Sequence, residues 1–247
     1  MEYSKRAQNE ISHGRKLTEL GAERVWGWGT PAGEVRAARR AEWIARAAML
    51  QPGVRALEIG CGTGIFTEKF ASTGADILAV DISEELLQQA RARNLPPTVT
   101  FACTPFEDLS VDQPFDAVIG SSILHHLDVD PSLSRIYSLL KPGGVACFSE
   151  PNMLNPQIMT QKNVTWIKEQ LGDSPDETAF FRWQIVSLLR KTGFVGIQVT
   201  PMDWLHPLTH PAMIPTMNKI GVVLEKLLLI REFAGSLYIH AQRPHGD

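Results

Sequence analysis

The chain has 247 residues, of which 44% are hydrophobic and 21% are charged, and its formal net charge at pH 7 is −3. This length suits one large α/β domain with a core of its own, and the composition is ordinary for a globular protein. A protein that mainly binds nucleic acid needs a basic face for the phosphates. The slightly acidic balance therefore argues against nucleic acid as the main partner.

Cysteine usage and the distribution of apolar residues indicate the cellular setting. Cys61, Cys103 and Cys147 are odd in number and widely spaced, which predicts reduced thiols in a cytoplasmic protein rather than a disulfide framework or a zinc site. No apolar stretch follows the first residues, so we expect no signal peptide. The most apolar segment, residues 220–230, contains two charges and is too short to span a bilayer.

In chain order, a polar and then turn-rich stretch over residues 1–33 leads into a helix predicted at 34–50. Short apolar runs then alternate with helical segments as far as residue 150. This alternation predicts a parallel sheet with both faces covered by helices. The predicted strands are 54–59, 77–81, 98–103, 115–121 and 145–150, and the helices between them are 64–73, 83–93 and 131–140.

The regular alternation stops after residue 150. Residues 151–178 contain turns and one weak helical stretch, and the chain then gives a helix at 179–191, a strand at 194–202, a helix at 212–231 and a strand at 236–242. The helix at 212–231 carries one apolar stripe, which fits packing on the sheet, a lid over an apolar substrate or a dimer contact. The stripe consists of Met213, Met217, Ile220, Leu224 and Leu227.

The strongest functional signal follows the first predicted strand, where residues 57–64 read Leu-Glu-Ile-Gly-Cys-Gly-Thr-Gly. Glycine adopts the positive φ angles of such a turn, and the helix that follows directs free amide N–H groups at a ligand. The second strand ends at Asp81, 17 residues after Gly64, where a carboxylate can accept hydrogen bonds from both hydroxyls of a ribose. Together these features predict a site for an adenosine-containing ligand.

The spacing of the glycines distinguishes between adenosine ligands. A dinucleotide site has the pattern G-x-G-x-x-G, whereas Gly60, Gly62 and Gly64 follow G-x-G-x-G and Ile65 stands where the last glycine would be required. Glu58 lies two residues before the first glycine, at a strand end where it can meet an ammonium group. A methionine-derived ligand therefore fits this loop better than a pyrophosphate.

With these motifs the chain resembles the class I S-adenosyl-L-methionine (SAM)-dependent methyltransferases. The resemblance rests on four segments in order, which are 57–64, 79–83, 115–127 and 140–144. It implies a Rossmann-like, mostly parallel sheet of seven strands with helices on both faces and an antiparallel last strand, in a single domain over residues 1–247. It also implies that the N-terminal extension 1–33 and the insertion 151–178, where the family varies, form a cap over the substrate.

The cofactor that the resemblance implies is SAM, and the product is S-adenosyl-L-homocysteine. The three glycines and Cys61 would contact the methionine end through the backbone. Glu58 would face the ammonium group, directly or through water, and Asp81 would bind the ribose hydroxyls.

The adenine end of the predicted site departs from the family pattern. Many relatives place an acidic residue where Pro105 stands in this chain. The resemblance therefore leaves adenine to Ile82, Phe106 and Glu107, although capping of a loop explains Glu107 equally well. Ser121, at the end of the fourth predicted strand, completes the predicted cofactor-binding set.

Methyl transfer from a sulfonium is an in-line displacement, so the protein mainly holds two reactants in alignment. His125 and His126 follow the fourth predicted strand, whose end lies beside the reacting methyl group in this family. A neutral imidazole of His125 can take a proton from a hydroxyl or amine acceptor, although either histidine can equally be structural. No metal site is predicted, because a His-His pair alone is a poor set of ligands.

Several other side chains have two interpretations each. Trp26 and Trp28 either wall the pocket or pack within the N-terminal segment, and Arg36 and Arg39 either reach the cofactor carboxylate or are solvated helix charges. Contact with the acceptor and a structural role in turns or loops both fit the remaining candidates, which are Glu150, Asn152, His206 and His210.

The sequence thus predicts a SAM-dependent methyltransferase that acts on the oxygen or nitrogen of a small, partly apolar acceptor. One alternative is an NAD(P)-dependent oxidoreductase, which the missing third glycine and the Leu-Lys-Pro-Gly-Gly run at 140–144 disfavour. The other is a non-catalytic partner subunit that binds SAM, which the intact glycine loop disfavours.

Overall fold

Seven strands form a single sheet in the computed structural model, which describes residues 4–170, 174 and 177–246. The strands are β1 (Arg55–Ile59), β2 (Asp76–Asp81), β3 (Val99–Cys103), β4 (Phe115–Ser121), β5 (Leu140–Pro151), β6 (Val195–Met202) and β7 (Ser236–Gln242). Their order across the sheet is β3-β2-β1-β4-β5-β7-β6. The first five strands pair in parallel, and β7 runs antiparallel to both β5 and β6. The predicted Rossmann-like fold class with an antiparallel last strand is confirmed.

Helices cover both faces of this sheet, as the alternation of the sequence predicts. Those on one face pack against β4 to β6, and α3 and α4 pack on the other. The α-helices of the described residues are α1 (Lys5–Leu20), α2 (Ala22–Val25), α3 (Pro31–Ala47), α4 (Ile65–Ala71), α5 (Glu84–Arg91), α6 (Val129–Leu139), α7 (Pro156–Asn163), α8 (Thr165–Gln170), α9 (Arg182–Thr192) and α10 (Ile214–Leu224).

The core is divided into two layers by the sheet, because successive side chains of a strand point to opposite faces. Leu57 of β1 packs in one layer with Ile136 of α6, whereas its neighbour Ala56 packs in the other layer with Ile44 of α3 and Phe70 of α4. Since both layers are apolar, each central strand reads as a continuous apolar run.

Capping residues define where the helices around the site begin. The Ser83 hydroxyl accepts a hydrogen bond from the Leu86 amide at the start of α5, and the Thr30 hydroxyl accepts one from the Gly33 amide at the start of α3. Pro31 occupies the first turn of α3, where its missing N–H costs nothing. The helix predicted at 34–50 therefore begins earlier than the sequence pattern indicates.

The helix α1 is absent from the sequence prediction, which describes this region only as polar and turn-rich. Only Gly14 and Leu17 of α1 are buried, and Leu17 packs against Leu86 of α5. Because α1 buries so few apolar residues, its sequence lacks the apolar stripe from which an amphipathic helix is predicted.

The helix predicted at 212–231 is shorter than its apolar stripe suggests. The helix α10 ends at Leu224, and among its residues only Gly221 is buried, so the interpretation in which the stripe packs on the sheet is wrong. Residues 225–230 form turns in which the apolar side chains face outward. Within the described residues, no helix is long and apolar enough to cross a membrane.

Candidate active site

A cavity of about 1450 Å³ opens at the carboxyl ends of β1, β2, β3 and β4. The strand order reverses beside β1, with β2 and β3 on one side and β4 on the other, and open α/β sheets bind ligands at such a point. Ligand pockets commonly enclose roughly 300–1,000 Å³. This cavity therefore has room for a cofactor and a second molecule together.

The glycine loop forms the floor of one end of the cavity. Gly60, Gly62 and Gly64 all have positive φ, at +66°, +52° and +77°, as the sequence predicts. A Cβ atom at Gly60 would lie only 2.4 Å from Cδ1 of Ile123, so glycine is required there for close packing as well. Gly60, Cys61 and Gly62 line the cavity, whereas Gly64 lies outside it, where it begins α4.

Asp81 ties the glycine loop to the end of β2. Its Oδ2 atom accepts a hydrogen bond of 2.7 Å from the Gly62 amide, and its Oδ1 atom accepts one of 2.9 Å from the Ser83 amide. The carboxylate lines the cavity, and its burial raises the pKa against the lowering effect of these amide donors. Asp81, the residue predicted to bind the ribose, is thus held rigidly at the cavity wall.

The side chain of Glu58 is buried at the end of β1, just before the glycine loop. Its side chain is only 2% exposed and does not line the cavity. Burial, opposed by the Thr67 hydroxyl and aided by the nearby charge of Asp81, raises the pKa of Glu58 to about 8, which leaves the carboxyl mostly protonated at neutral pH. One of its oxygens has no hydrogen-bond partner among the described residues.

The other predicted cofactor contacts lie together along the cavity wall. Ile82 follows β2, and Phe106 and Glu107 lie in the short 3₁₀ turn after β3. Ser121 ends β4, and its buried hydroxyl has no hydrogen-bond partner among the described residues. A polar atom left without a partner at a cavity wall is a suitable contact for a polar ligand.

At a second part of the cavity wall, here called the histidine end, His125 lies between two carboxylates. Its Nδ1 atom is 2.7 Å from Oε2 of Glu150, and its Nε2 atom is 3.3 Å from Oε1 of Glu177. Burial lowers the pKa of the imidazole, but the hydrogen bonds and charges of Glu150 and Glu177 outweigh it and raise the pKa to about 9. In this conformation His125 is an imidazolium with both nitrogens occupied, so it is not a free base.

Glu150 is a structural residue at the end of β5. Its fully buried carboxylate accepts hydrogen bonds of 3.0 Å from the amides of Ile123 and Leu124, as well as the contact from His125. The side chain of Asn152 likewise donates to the carbonyls of Glu232 and Ala234, each at 2.8 Å. Neither side chain lines the cavity, so both cap turns, which is the second of the two interpretations that their sequence context allows.

Glu177 links the insertion to the histidine pair. Its carboxylate accepts from the Ser174 amide at 2.9 Å and forms an ion pair with Lys162 of α7. Burial raises the pKa of Glu177, but the contacts with the histidines and Lys162 outweigh it and hold the pKa far below the usual range. The sequence did not single out Glu177, because an isolated acid in an irregular segment carries no recognisable pattern.

The N-terminal helix closes over the same end of the cavity. Glu10 of α1 lies 3.1 Å from Nδ1 of His126 and accepts a hydrogen bond of 2.6 Å from the Ser174 hydroxyl. The two segments predicted as a cap thus meet each other and the histidine pair. Glu10 was also missed by the sequence prediction, since α1 has no apolar stripe to identify it as a helix.

His125, His126 and Glu177 place three potential metal-ligating atoms within 4.8 Å of one another. The sequence prediction weighed only the two histidines, because Glu177 lies 52 residues further along the chain than His125. In this structure the Lys162 ammonium and the His125 imidazolium already balance the Glu177 carboxylate.

Of the two arginines of α3 that the sequence offered as cavity residues, Arg36 faces the cavity and Arg39 does not. Arg36 and Arg40 are one helical turn apart, line the cavity and lie 5.1 and 4.8 Å from the centre of the Trp28 ring. Arg39 points away from the cavity and binds Glu225 through both guanidinium nitrogens. The interpretation in which Arg39 reaches the cofactor is therefore wrong, and Arg40 takes its place at the cavity.

The buried carboxylate of Asp203 sets the positions of these arginines. It accepts from Arg40 at 2.9 Å and lies 3.3 Å from Arg36, and the two positive charges keep its pKa low despite the opposing effect of burial. Two guanidinium groups therefore share one carboxylate, which leaves one positive charge at this wall. The sequence offered no signal for Asp203, which is a single acid in a loop.

Aromatic and histidine side chains complete the cavity wall. Trp26 lies over the glycine loop, where a Cβ atom at Gly62 would be 3.1 Å from Cη2 of its ring. Trp28 lines the cavity and is packed edge-on against Phe66. His206 also lines the cavity, whereas His210 does not.

Comparison with known proteins gives matches over the central part of the chain. Residues 56–144 match a family model described as a methyltransferase domain. The chain is 37% identical over 118 residues to the ubiquinone biosynthesis O-methyltransferase of Xanthomonas campestris, and the match covers 46% of this chain and 49% of that protein. The chain thus spans about half the length of the curated relatives it matches.

Solved structures with the same fold cover more of the chain at lower identity. The phosphoethanolamine N-methyltransferase 2 of Haemonchus contortus, in complex with SAM, has a TM-score of 0.64 and 22% identity, over 89% of this chain and 56% of that chain. The [4+2]-cyclase SpnF has a TM-score of 0.59 and 21% identity, over 85% of this chain and 82% of that chain. Because one fold hosts different reactions, these likenesses establish the fold alone.

Proposed function

We propose that the protein is a class I, SAM-dependent methyltransferase that transfers a methyl group from SAM to a small, partly apolar acceptor. The match of residues 56–144 to a methyltransferase domain supports this proposal. The observation that carries this proposal is the cavity wall in which Asp81 and the Gly60–Gly62 loop stand side by side. Bound SAM supplies a methyl group on a sulfonium, which a lone pair of the acceptor displaces in line.

The cofactor in this proposal lies along the glycine loop and the ends of β2 and β3. Asp81 accepts hydrogen bonds from the ribose, and Ile82, Phe106 and Glu107 surround the adenine. The unpartnered hydroxyl of Ser121 supplies a further polar contact. Arg40 and Arg36 carry the excess positive charge that a carboxylate of the cofactor requires.

The acceptor in this proposal lies between the cofactor and the histidine pair. Apolar side chains such as Ile123, Ile158 and Leu205 line the cavity beside charged groups, which suits an acceptor with an apolar body and a polar reacting group. We infer that residues 1–33 and 151–178 form its cap within a single domain over residues 1–247. The contact between Glu10 and Ser174 supports this inference, because it joins the two segments over the cavity.

His125 acts in this proposal as a proton acceptor only after Glu177 withdraws. While Glu177 holds the Nε2 atom, the imidazolium has no free nitrogen to take a proton from a hydroxyl or amine. An acceptor that displaces Glu177 removes one of the charges that raise the pKa of the imidazole, so the proton on Nε2 can leave with the Glu177 carboxylate or to water. The neutral ring then presents a free Nε2 to the acceptor, while Glu150 continues to hold Nδ1 and fix the ring. Glu150 is therefore the orienting group and Glu177 the group that competes with the acceptor.

We propose that the transfer needs no metal ion. The ammonium of Lys162 already occupies the side of Glu177 that faces the histidine pair, and a divalent cation there would meet that charge. We also propose a reduced, cytoplasmic setting and a small molecule rather than nucleic acid as partner. The unpaired state of all three cysteines and the acidic net charge support these points.

The proposal is tested by incubating the protein with SAM labelled on its methyl group and a pool of small metabolites that carry hydroxyl or amine groups. We expect label in a small-molecule product, in the presence of a chelator as well as in its absence. Label that stays in SAM across a broad pool, together with tight binding of SAM, would instead favour the non-catalytic binding subunit. The matched control is Asp81→Ala, which should lose both binding and transfer.

A further inference from the structure

The surface of α10 and of the turn that follows it is apolar and open. Val223 lies on α10, and Leu228 and Leu229 follow in the turn; Leu229 is 84% exposed and Leu228 is 69% exposed. Leu227 and Ile230 are exposed as well, so four consecutive apolar residues face outward. Exposed runs of this length are avoided on protein surfaces unless a partner covers them. We refer to residues 220–230 as the apolar patch.

The charges around the apolar patch are predominantly positive. Lys219 and Lys226 are exposed, and neither forms an ion pair with any of the residues that the structure describes. The acidic groups of the same region are already neutralised, because Glu225 binds Arg39 and Glu232 binds Arg182. An apolar surface flanked by free lysines is complementary to a surface that is apolar and negatively charged.

The apolar patch adjoins the mouth of the cavity. Leu208 is 81% exposed and also lines the cavity, and it precedes the short turn Pro211–Met213 from which α10 starts. A Cβ atom at Gly221 would lie 3.1 Å from Cβ of Trp204, so α10 packs directly on the loop that forms the cavity wall. Apolar side chains therefore continue from the open surface to the cavity rim.

We propose that the apolar patch docks on an anionic lipid surface, with Leu227–Ile230 inserted among the lipids and with Lys219 and Lys226 at the headgroups. Such docking places the cavity mouth, through Leu208, against the lipid surface, from which an apolar acceptor can enter. A second copy of the chain fits the apolar patch less well. In a twofold contact the patch faces itself, and its free lysines find no acidic partner.

The test is co-sedimentation of the full chain with vesicles of phosphatidylcholine alone and with vesicles of equal parts phosphatidylcholine and phosphatidylglycerol. We expect the wild type to bind the anionic vesicles, and binding to weaken as salt is added. The double variant Leu228→Ser with Leu229→Ser should lower the partition coefficient roughly tenfold or more, because each leucine loses apolar burial in the lipid. Lys219→Glu with Lys226→Glu should lower binding to the anionic vesicles alone.

The matched control is Val195→Ser, which removes an exposed apolar residue at the beginning of β6, outside the patch. It should bind vesicles as the wild type does, and thermal unfolding should show all variants folded. Absence of wild-type binding to anionic vesicles would overturn the proposal, as would equal binding by the double leucine variant. A dimer in light scattering that the leucine variant dissociates, without vesicle binding, would assign the patch to a second copy.

Discussion

The two ends of the cavity are held together by different interactions. At the glycine end, the Asp81 carboxylate binds backbone amides of Gly62 and Ser83, which belong to the neighbouring loops after β1 and β2. At the histidine end, charged side chains from the N-terminal helix, the loop after β4 and the insertion meet one another. Glu10 and His126 are 116 residues apart in the chain.

This difference has a physical consequence. Hydrogen bonds to backbone amides persist as long as the sheet is folded, so the glycine end is preformed for its ligand. Contacts between side chains of separate segments break when one segment moves or one group changes its protonation state. The glycine end is therefore suited to binding, and the histidine end to opening and closing.

The largest expected effect concerns the two carboxylates that hold His125. Glu150→Ala removes a buried acceptor of three amide hydrogen bonds and leaves the buried imidazolium with only one of its two carboxylate partners, so we expect unfolding free energy to fall by roughly 3–5 kcal/mol. Glu177→Ala lies in the cap, whose remaining charges can turn toward water, and should cost only about 1–2 kcal/mol. Denaturant unfolding of both variants checks this order. Equal losses of unfolding free energy in the two variants would show that the cap contributes as much to stability as the end of the sheet does.

The same distinction explains how much the sequence could predict. Gly60, Gly62 and Asp81 act through local backbone geometry with fixed spacing, so their motif predicted both the φ angles and the fold around them. Glu10 and Glu177 depend on tertiary contacts between irregular segments, and no spacing encodes such contacts. The sequence pattern marks Glu58 as a strand end, but it does not show that the side chain is buried.

The arginine pair and the helix α10 show two further limits of sequence patterns. Arg36, Arg39 and Arg40 all lie within about one helical turn, and only packing decides that Arg39 binds Glu225 while the other two face the cavity. For α10, an apolar stripe predicts that something covers it but does not identify the partner. Within α10 only Gly221 is buried, and it packs on Trp204 of the loop after β6, so most of the stripe remains on the surface.

A second prediction tests the glycine end. Asp81→Ala should weaken binding of S-adenosyl-L-homocysteine by roughly 10- to 100-fold, because it removes the carboxylate proposed to bind the ribose. It also releases the Gly62 amide, so part of this loss reflects a looser loop. Calorimetry of the variant measures the loss, and Glu107→Ala is the control with a smaller expected effect. Affinity unchanged in Asp81→Ala would remove this residue from the site.

A third prediction concerns pH and the histidine end. The pKa of His125 is raised to about 9 in the folded chain, above the value of about 6.5 for an unperturbed histidine. This ion pair therefore stabilises the fold fully below about pH 6.5, and the contribution disappears as the pH rises through 9. NMR titration of the imidazole in the wild type and in Glu177→Gln checks this, and the pKa should fall in the variant. An identical titration in both proteins would exclude Glu177 as a partner of His125.

A smaller effect is expected for the link between the two cap segments. Glu10→Ala removes the contacts to Ser174 and His126 without changing the sheet, so hydrogen exchange in α1 and α7 should quicken several-fold while exchange in β1 and β4 stays the same. Arg15→Ala, which breaks an exposed ion pair on the same helix, is the matched control. Acceleration in both variants alike would mean that α1 frays for reasons unrelated to the cap.

The central claim, that this cavity binds SAM and not a dinucleotide, is tested most directly by calorimetric titration of the wild-type protein with S-adenosyl-L-homocysteine, NAD and NADP. We predict one S-adenosyl-L-homocysteine bound per chain and no binding of either dinucleotide, because Ile65 replaces the third glycine of the dinucleotide pattern. Binding of NAD or NADP without binding of S-adenosyl-L-homocysteine would contradict the account and support the oxidoreductase alternative.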